Sequence, residues 1–317
     1  LGLLDWIGRA RRLVPAEDRR VLFCPPRLVY RFSRFAVHRA LGAPVDRTSE
    51  DVTARDPELV TVVLELFRAL ALTYFRLQVE GAERVPRGPS LIVGNHSGGL
   101  LPLEGFFTAL ALHERFGADH AVFALVHDFI FDDPTLRAYA ARLGMLRAGH
   151  GSARSAFAAG GSVLVYPGSD FDTFRPFRDR HKVVLGGRKG FIQLALRSGV
   201  PIVPVVTAGT HEQLIVLSRG DRAARLLRTH VWMRTDVLPL VLCVPWGLTL
   251  GFVPYLPLPA QTTVRFCEPL SWPELGPEAA DDPAVLDRLY RQVESTMQRE
   301  LDELGRGRRF LLGKRAG

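Results

Sequence analysis

From residue 81 onward the sequence alternates between two hydrophobic patterns, and this alternation constrains the fold more than any other feature. Short apolar runs at 90–93, 121–126, 162–166, 202–207 and 262–267 have the length and composition of strands. Segments 103–116, 134–143, 152–159, 188–198 and 283–304 instead carry helical patterns. Helices between successive strands supply the crossovers that parallel pairing needs. The expectation is an α/β fold with a largely parallel central sheet flanked by helices. No internal repeat or low-complexity tract interrupts it.

The first 79 residues read differently. Segment 21–41 mixes Phe23, Tyr30, Phe32 and Phe35 with Arg27, Arg31 and Arg34, and those three arginines recur at helical spacing. A basic helix with aromatics on its other side suits an anionic bilayer surface. Segment 57–79 reads as a second helix, with Leu59, Val62, Val63, Leu66 and Leu70 on the 3.6 period. The expected organisation is a membrane-associating helical region at 1–79, an α/β domain at 80–305 and a basic, mobile tail at 306–317. The apolar run at 1–7 stops before Arg9, too short for a signal peptide. Segment 237–264 carries no charge, but Pro239, Pro245, Pro254, Pro257 and Pro259 break any spanning helix. It reads equally as an apolar irregular surface dipping into lipid or as a buried strand and loop. The expected location is the cytoplasmic face of a membrane, peripheral or monotopic.

The formal net charge of +8 implies an anionic partner. No zinc-finger spacing, RNP-like aromatic motif or lysine-rich tail supports nucleic acid. A membrane surface or a phosphorylated substrate remains. Cys24, Cys243 and Cys267 are scattered and odd in number, against a disulfide framework and against a metal site.

The chemistry concentrates after two of the strands. Leu91-Ile92-Val93 runs directly into Gly94-Asn95-His96-Ser97-Gly98-Gly99, placing a histidine at the carboxyl end of a sheet strand, where α/β proteins bind ligands. Histidine can accept a proton near neutral pH, and a nearby carboxylate would orient its ring. Glu104 follows at the start of a helix. The second cluster begins at Pro167-Gly168-Ser169-Asp170 and continues through Arg175, Arg178, Lys182, Arg188 and Lys189. Arginine forks and a helix N-terminus match phosphate oxygens, so these five cations are the expected phosphate contacts. A third block, Gly199-Val200-Pro201-Ile202-Val203-Pro204-Val205, is a tight turn followed by a buried strand.

In order and spacing the three blocks resemble the glycerolipid acyltransferase family, of the lysophosphatidic acid acyltransferase type. Asn95-His96 matches the family's first block, Lys189-Gly190-Phe191 its helix start, and Val200–Val205 its Val-Pro-Ile-Val-Pro strand. Leu101 stands where the family usually has its acid. A divergent branch, nearer the monoacylglycerol and diacylglycerol acyltransferases, has a longer His-Ser-Gly-Gly form, which assigns the acid's role to Glu104. Pro167-Gly168-Ser169-Asp170 replaces the usual Pro-Glu-Gly-Thr. The resemblance implies an acyl-CoA or acyl carrier protein donor, a glycerolipid hydroxyl such as that of lysophosphatidic acid as acceptor, or a neutral lipid in its place, catalysis by His96 and Glu104, and neither metal nor cofactor. Backbone N–H groups of Ser97, Gly98 and Gly99 are then expected to stabilise the oxyanion. Two other classes stay open. An esterase needs a Gly-x-Ser-x-Gly elbow, and the sequence has none. A non-catalytic lipid binder would share the resemblance without the chemistry.

Overall fold

The computed structural model describes residues 2–14, 16, 51–97, 99, 101–131, 134–232 and 235–314. The segment 21–41 and Cys24 lie outside the described residues.

Helix α1 (Leu3–Leu13) packs along α2 (Pro57–Thr73), and Arg9 bonds Glu58 at 3.0 Å. The start of α2 is written in sequence: Asp56 accepts from the Glu58 and Leu59 N–H groups, and Pro57 occupies the first turn. Strands β1 (Gln78–Glu80) and β2 (Leu91–Gly94) lead to α3 (Leu103–Phe116). Next come β3 (Val122–Val126), α4 (Pro134–Arg142), β4 (Met145–Arg147), α5 (His150–Ala158) and β5 (Ser162–Val165). After the short helix α6 (Ser169–Thr173), α7 (Gly190–Ser198) ends on Gly199 in the left-handed region, and β6 (Ile202–Ala208) follows.

These strands, with β10 (Thr263–Phe266), form a seven-stranded sheet in the order β1-β10-β6-β2-β5-β3-β4. From β6 to β4 all pairing is parallel; β10 runs antiparallel to β6, and β1 lies parallel to β10 at the edge. The largely parallel α/β sheet is as expected. Both of its faces are covered. Leu91 and Val93 join α5, α7 and the long helix that closes the fold (Pro283–Gly305) in one core cluster, while Ile92 joins α2 and α3 in another.

A second sheet was not expected. Strands β7 (Ile215–Ser218), β8 (Leu240–Cys243) and β9 (Gly247–Leu250) pair antiparallel, so segment 237–264 holds a hairpin rather than an irregular surface. Helices α8 (Asp221–Leu226) and α9 (Thr229–Trp232) fill the β7–β8 connection, and Pro283–Gly305 is α10.

Three boundaries also differ from expectation. Helix α2 stops at Thr73 rather than 79, because Arg76 takes a left-handed φ of 44° and the chain turns to pair β1 with β10. Its Val60, Leu64 and Ala71 are buried with α3 and the sheet, so α2 belongs to the α/β body. The described part of the tail, 306–314, is docked: Arg308 makes a buried ion pair with Glu212 at 2.6 Å, and the Leu311 N–H donates to the same carboxylate at 2.7 Å. Both Cys243 and Cys267 are buried free thiols. Among the described residues, no helix is long and apolar enough to cross a membrane.

Candidate active site

Because β5, β2 and β6 are parallel neighbours, their carboxyl ends open on the same edge of the sheet. Three loops therefore meet there: Asn95–Ser97 after β2, Tyr166–Asp172 after β5, and Gly209–Glu212 after β6. Asn95 begins the first. Its side chain donates to the Thr207 carbonyl at 3.1 Å and accepts from the Thr207 N–H at 2.7 Å, extending the β2–β6 pairing by one side chain. This fixes the position from which His96 departs.

The His96 ring is held on two sides. Its Nδ1 contacts the Glu104 carboxylate, which also accepts the Ser97 N–H at 3.0 Å. Its face stacks on the Tyr166 ring, with centroids 5.0 Å apart and planes 27° from parallel. Gly94 makes room for that tyrosine, since a Cβ there would strike the ring. The His96 N–H donates to Asp172, which also pairs with the buried Arg175. Arg175 returns a bond to the His96 carbonyl at 3.0 Å. Ser97 Oγ bonds Thr210 after β6, tying the first loop to the third.

Electrostatics follow from this packing. Burial disfavours a charged His96, but the Glu104 carboxylate, by charge and hydrogen bond, and then Asp172 outweigh it; the imidazole pKa lies above its ordinary value. Burial pushes the Asp172 carboxyl up to about 6 despite the Arg175 charge beside it. Nearby His211 is also buried, and burial followed by the Arg175 charge holds its pKa well below the ordinary histidine value. One edge thus carries two histidines with opposite tendencies, one favouring a proton and one staying neutral.

The sequence matches the model of the diacylglycerol acyltransferase family over residues 46–281. The chain belongs to the diacylglycerol acyltransferase family. An uncharacterized protein of Mycobacterium tuberculosis is 32% identical over 263 residues, covering 82% of this chain and 71% of that protein. The "DGAT1/2-independent enzyme synthesizing storage lipids" of Gallus gallus is 30% identical over 165 residues, covering 51% of this chain and 47% of that protein. A crystal structure of the 1-acyl-sn-glycerophosphate (LPA) acyltransferase PlsC from Thermotoga maritima aligns over 88% of this chain and 92% of that one. Its identity is 19% and its TM-score 0.47.

Within this member of the diacylglycerol acyltransferase family, the structure brings His96 and Glu104 together and separates the residues expected at a phosphate. Arg175 is 2% exposed, and its guanidinium bonds Asp172 and the carbonyls of His96, Asp179 and Arg180. That is a correction: its donors are occupied by protein groups, and it braces the His96 loop. Arg178 and Lys182 lie on the surface beside Asp179, at 3.6 and 2.7 Å. Lys189 pairs with Asp287 on α10 at 2.6 Å, and Arg188 bonds the Pro167 carbonyl at 2.8 Å. The five cations form no single pocket.

The oxyanion assignment changes as well. The Ser97 N–H is committed to Glu104, so it is not directed at a substrate oxygen. Gly99 is buried at φ 73°, where a Cβ would meet Leu214 and Tyr255; Gly98 lies outside the described residues. In the block after β5, Gly168 is required because a Cβ would strike the Val184 carbonyl and Asp172. Ser169 adopts a left-handed φ of 49°, and Asp170 turns away to bond Thr235 at 2.8 Å and the Asp236 N–H at 3.1 Å.

Sequence reasoning missed Tyr166, Asp172, Thr210 and His211 as site residues. Tyr166 was legible as the residue leaving β5. Asp172 sits two positions beyond Asp170, inside a short helix, and only the turn at Ser169 decides which of the two acids points inward.

Proposed function

We propose that this chain is an O-acyltransferase that moves a fatty acyl group from acyl-CoA or acyl carrier protein to a free hydroxyl of a glycerolipid, with His96 as general base. The observation that carries this reading is the Glu104 carboxylate on Nδ1 of a 21% exposed histidine at the carboxyl edge of the sheet. With Nδ1–H donated to Glu104, Nε2 is the atom left to accept a proton.

In the proposed step, Nε2 removes the acceptor hydroxyl proton as the oxygen attacks the thioester carbonyl. The tetrahedral intermediate collapses with cleavage of the C–S bond, and the imidazolium returns the proton to the leaving thiolate. Glu104 stabilises the imidazolium. Asp172 and Arg175 hold the His96 backbone from below. The thioester is the co-substrate, and this reading draws on no further cofactor.

The family and the loss of the phosphate cluster favour a neutral glyceride, with monoacylglycerol or diacylglycerol as acceptor, over lysophosphatidic acid. Arg175, whose guanidinium bonds the His96 carbonyl, is internal. An esterase reading is weaker, because Ser97 Oγ bonds Thr210 and not the His96 ring. The test is an acceptor screen with labelled acyl-CoA, comparing monoacylglycerol, diacylglycerol, glycerol 3-phosphate and lysophosphatidic acid. Transfer to the neutral glycerides that disappears in His96→Ala supports the reading. Undiminished transfer in that variant overturns the role of His96, and preference for lysophosphatidic acid overturns the acceptor. We place the protein at the cytoplasmic face of a membrane, as a peripheral or monotopic enzyme whose basic surface meets anionic lipid.

A further inference from the structure

The small antiparallel sheet has an inner and an outer face of unusual similarity. Inward, Val216, Val241 and Cys243 are buried in a cluster with Phe174, Leu214 and Tyr255. Outward, Leu242 is 44% exposed, Leu248 62% and Leu250 59%, with Trp246 at the hairpin tip 58% exposed. Cross-strand pairing sets Leu242 opposite Leu248 and Leu240 opposite Leu250, which makes the leucines a continuous row. Antiparallel sheets with one solvated face ordinarily carry polar residues there. A contiguous apolar face of this kind marks an interaction surface.

The margin of this face says what covers it. Strand β7 ends at Ser218, beside Leu240, and the chain then enters α8. There Arg222 and Arg225 line a hollow with Ser218, Asp221 and Asp236, and they and Arg228 just beyond the helix are exposed and, among the described residues, make no ion pair, while Leu226 is 83% exposed. Segment 237–264 carries no charge at all. A leucine face without directional hydrogen-bonding groups, bordered by unpaired arginines and with a tryptophan at its tip, matches a leaflet whose tails are apolar and whose headgroups are anionic.

We propose that the outer face of β7–β9 is the surface by which the protein lies on an anionic bilayer, with Leu242, Leu248, Leu250 and Trp246 entering the leaflet and Arg222 and Arg225 meeting headgroup phosphates. The position gives this face a use. Leu214 and Tyr255, in the cluster under the sheet, are the side chains against which Gly99 of the His96 loop packs. A lipid leaving the leaflet through this sheet is separated from that loop by one layer of side chains. This inference rests on the proposed lipid acceptor for its purpose, but not for its test.

The test is co-sedimentation of the full chain with phosphatidylcholine vesicles, with and without phosphatidylglycerol. The double variant Leu248→Glu/Leu250→Glu is expected to weaken binding roughly a hundredfold, since each side chain forfeits burial of a leucine in the leaflet. Its thermal unfolding should match the parent, because both side chains already face solvent. Arg222→Gln/Arg225→Gln is expected to remove only the gain produced by phosphatidylglycerol. His96→Ala should bind as the parent does, so failure of the catalytic reading and failure of this one are separate results. Unchanged vesicle binding by the leucine variant overturns the proposal. So does sedimentation velocity showing a dimer that the leucine variant dissociates, since the face would then be covered by a second copy of this chain.

Discussion

The two sheets of this protein are built from similar residues and put them to different uses. In the large sheet, Leu91, Ile92 and Val93 of β2 are all fully buried, because helices cover both faces. The only surface left to such a sheet is its edge, and the polar loops with His96, Asp172 and Thr210 collect there. In the small sheet, burial alternates along β8, where exposed Leu242 is as apolar as buried Val241 and Cys243, while β9 exposes Leu248 and Leu250 and half-buries Gly247 and Thr249. One sheet offers chemistry at its end and the other offers a hydrophobic face. An apolar strand therefore carries no single meaning: what covers it decides whether it is core or contact.

The largest effect that separates the two regions is on rate. His96→Ala removes the proposed base, and kcat should fall by about 100- to 10,000-fold, the range typical of general acid–base groups. Labelled acyl transfer measures it, and a thermal melt shows whether the fold survives. The small sheet should be unaffected. A variant that keeps its rate would break the division of labour at its most important point.

A loss of stability comes next. Arg308→Ala leaves Glu212 charged and buried, and breaking a buried pair in this way costs about 3 to 5 kcal/mol. Denaturant unfolding should show it as a lower midpoint. The comparison to make is with Arg178→Ala, whose side chain is 85% exposed beside Asp179 and whose loss should be close to silent. Both arginines lie in basic segments of the sequence, and only one of them helps to hold an edge loop of the large sheet.

Much of this was legible in advance, for physical reasons that differ by element. The parallel sheet could be read because hydrophobic period and alternation are local properties, and the helices 103–116 and 283–304 lie within a residue of where those properties put them. His96 could be singled out because a strand that runs into a glycine-rich turn puts it at the carboxyl end of the sheet, whereas its pairing with Glu104 was implied by the family resemblance and not by the local pattern. The fate of the cations could not be read. Arg175 and Arg178 look alike in sequence, and only the return of β5 and β2 to one edge decides that the first is enclosed and the second is not. The same holds for the hairpin at 240–250. Its first strand alternates between two sets of apolar residues, and its second exposes the leucines and half-buries Gly247 and Thr249, so the apolar-in, polar-out period that marks a half-exposed strand is absent.

A smaller change tests the electrostatics of the edge. His96 must be neutral to accept a proton, so the acid limb of kcat/KM should lie above the ordinary histidine value of about 6.5, because Glu104 raises the pKa. Glu104→Gln removes that charge, and the limb should move to lower pH while the plateau falls roughly tenfold. The same raised pKa makes the pair a stabilising element whose contribution is complete below about 6.5 and fades as pH rises through the folded value. Stability of the parent should therefore lose this contribution on the alkaline side, and the glutamine variant should not show that loss. A limb that stays in place would mean that Glu104 does not govern the ring.

The smallest effect, that of Leu248→Ala, is also the most direct test of the contrast between the sheets when set beside two buried residues. Val241 and Leu248 lie on neighbouring strands of the hairpin, the first 2% and the second 62% exposed. Val241→Ala should cost about 1 to 3 kcal/mol from lost burial and the cavity left behind. Leu248→Ala removes a larger side chain and should change stability by no more than about 0.5 kcal/mol, as surface substitutions do. In β2 of the large sheet no such asymmetry exists: Ile92→Ala should cost about 2 to 5 kcal/mol, since it is covered by helices although its neighbours face the other way. If Leu248→Ala proved as costly as Val241→Ala, the outer face would already be covered in the free protein. The leucines would then be core after all, and the difference between the two sheets would be one of topology alone.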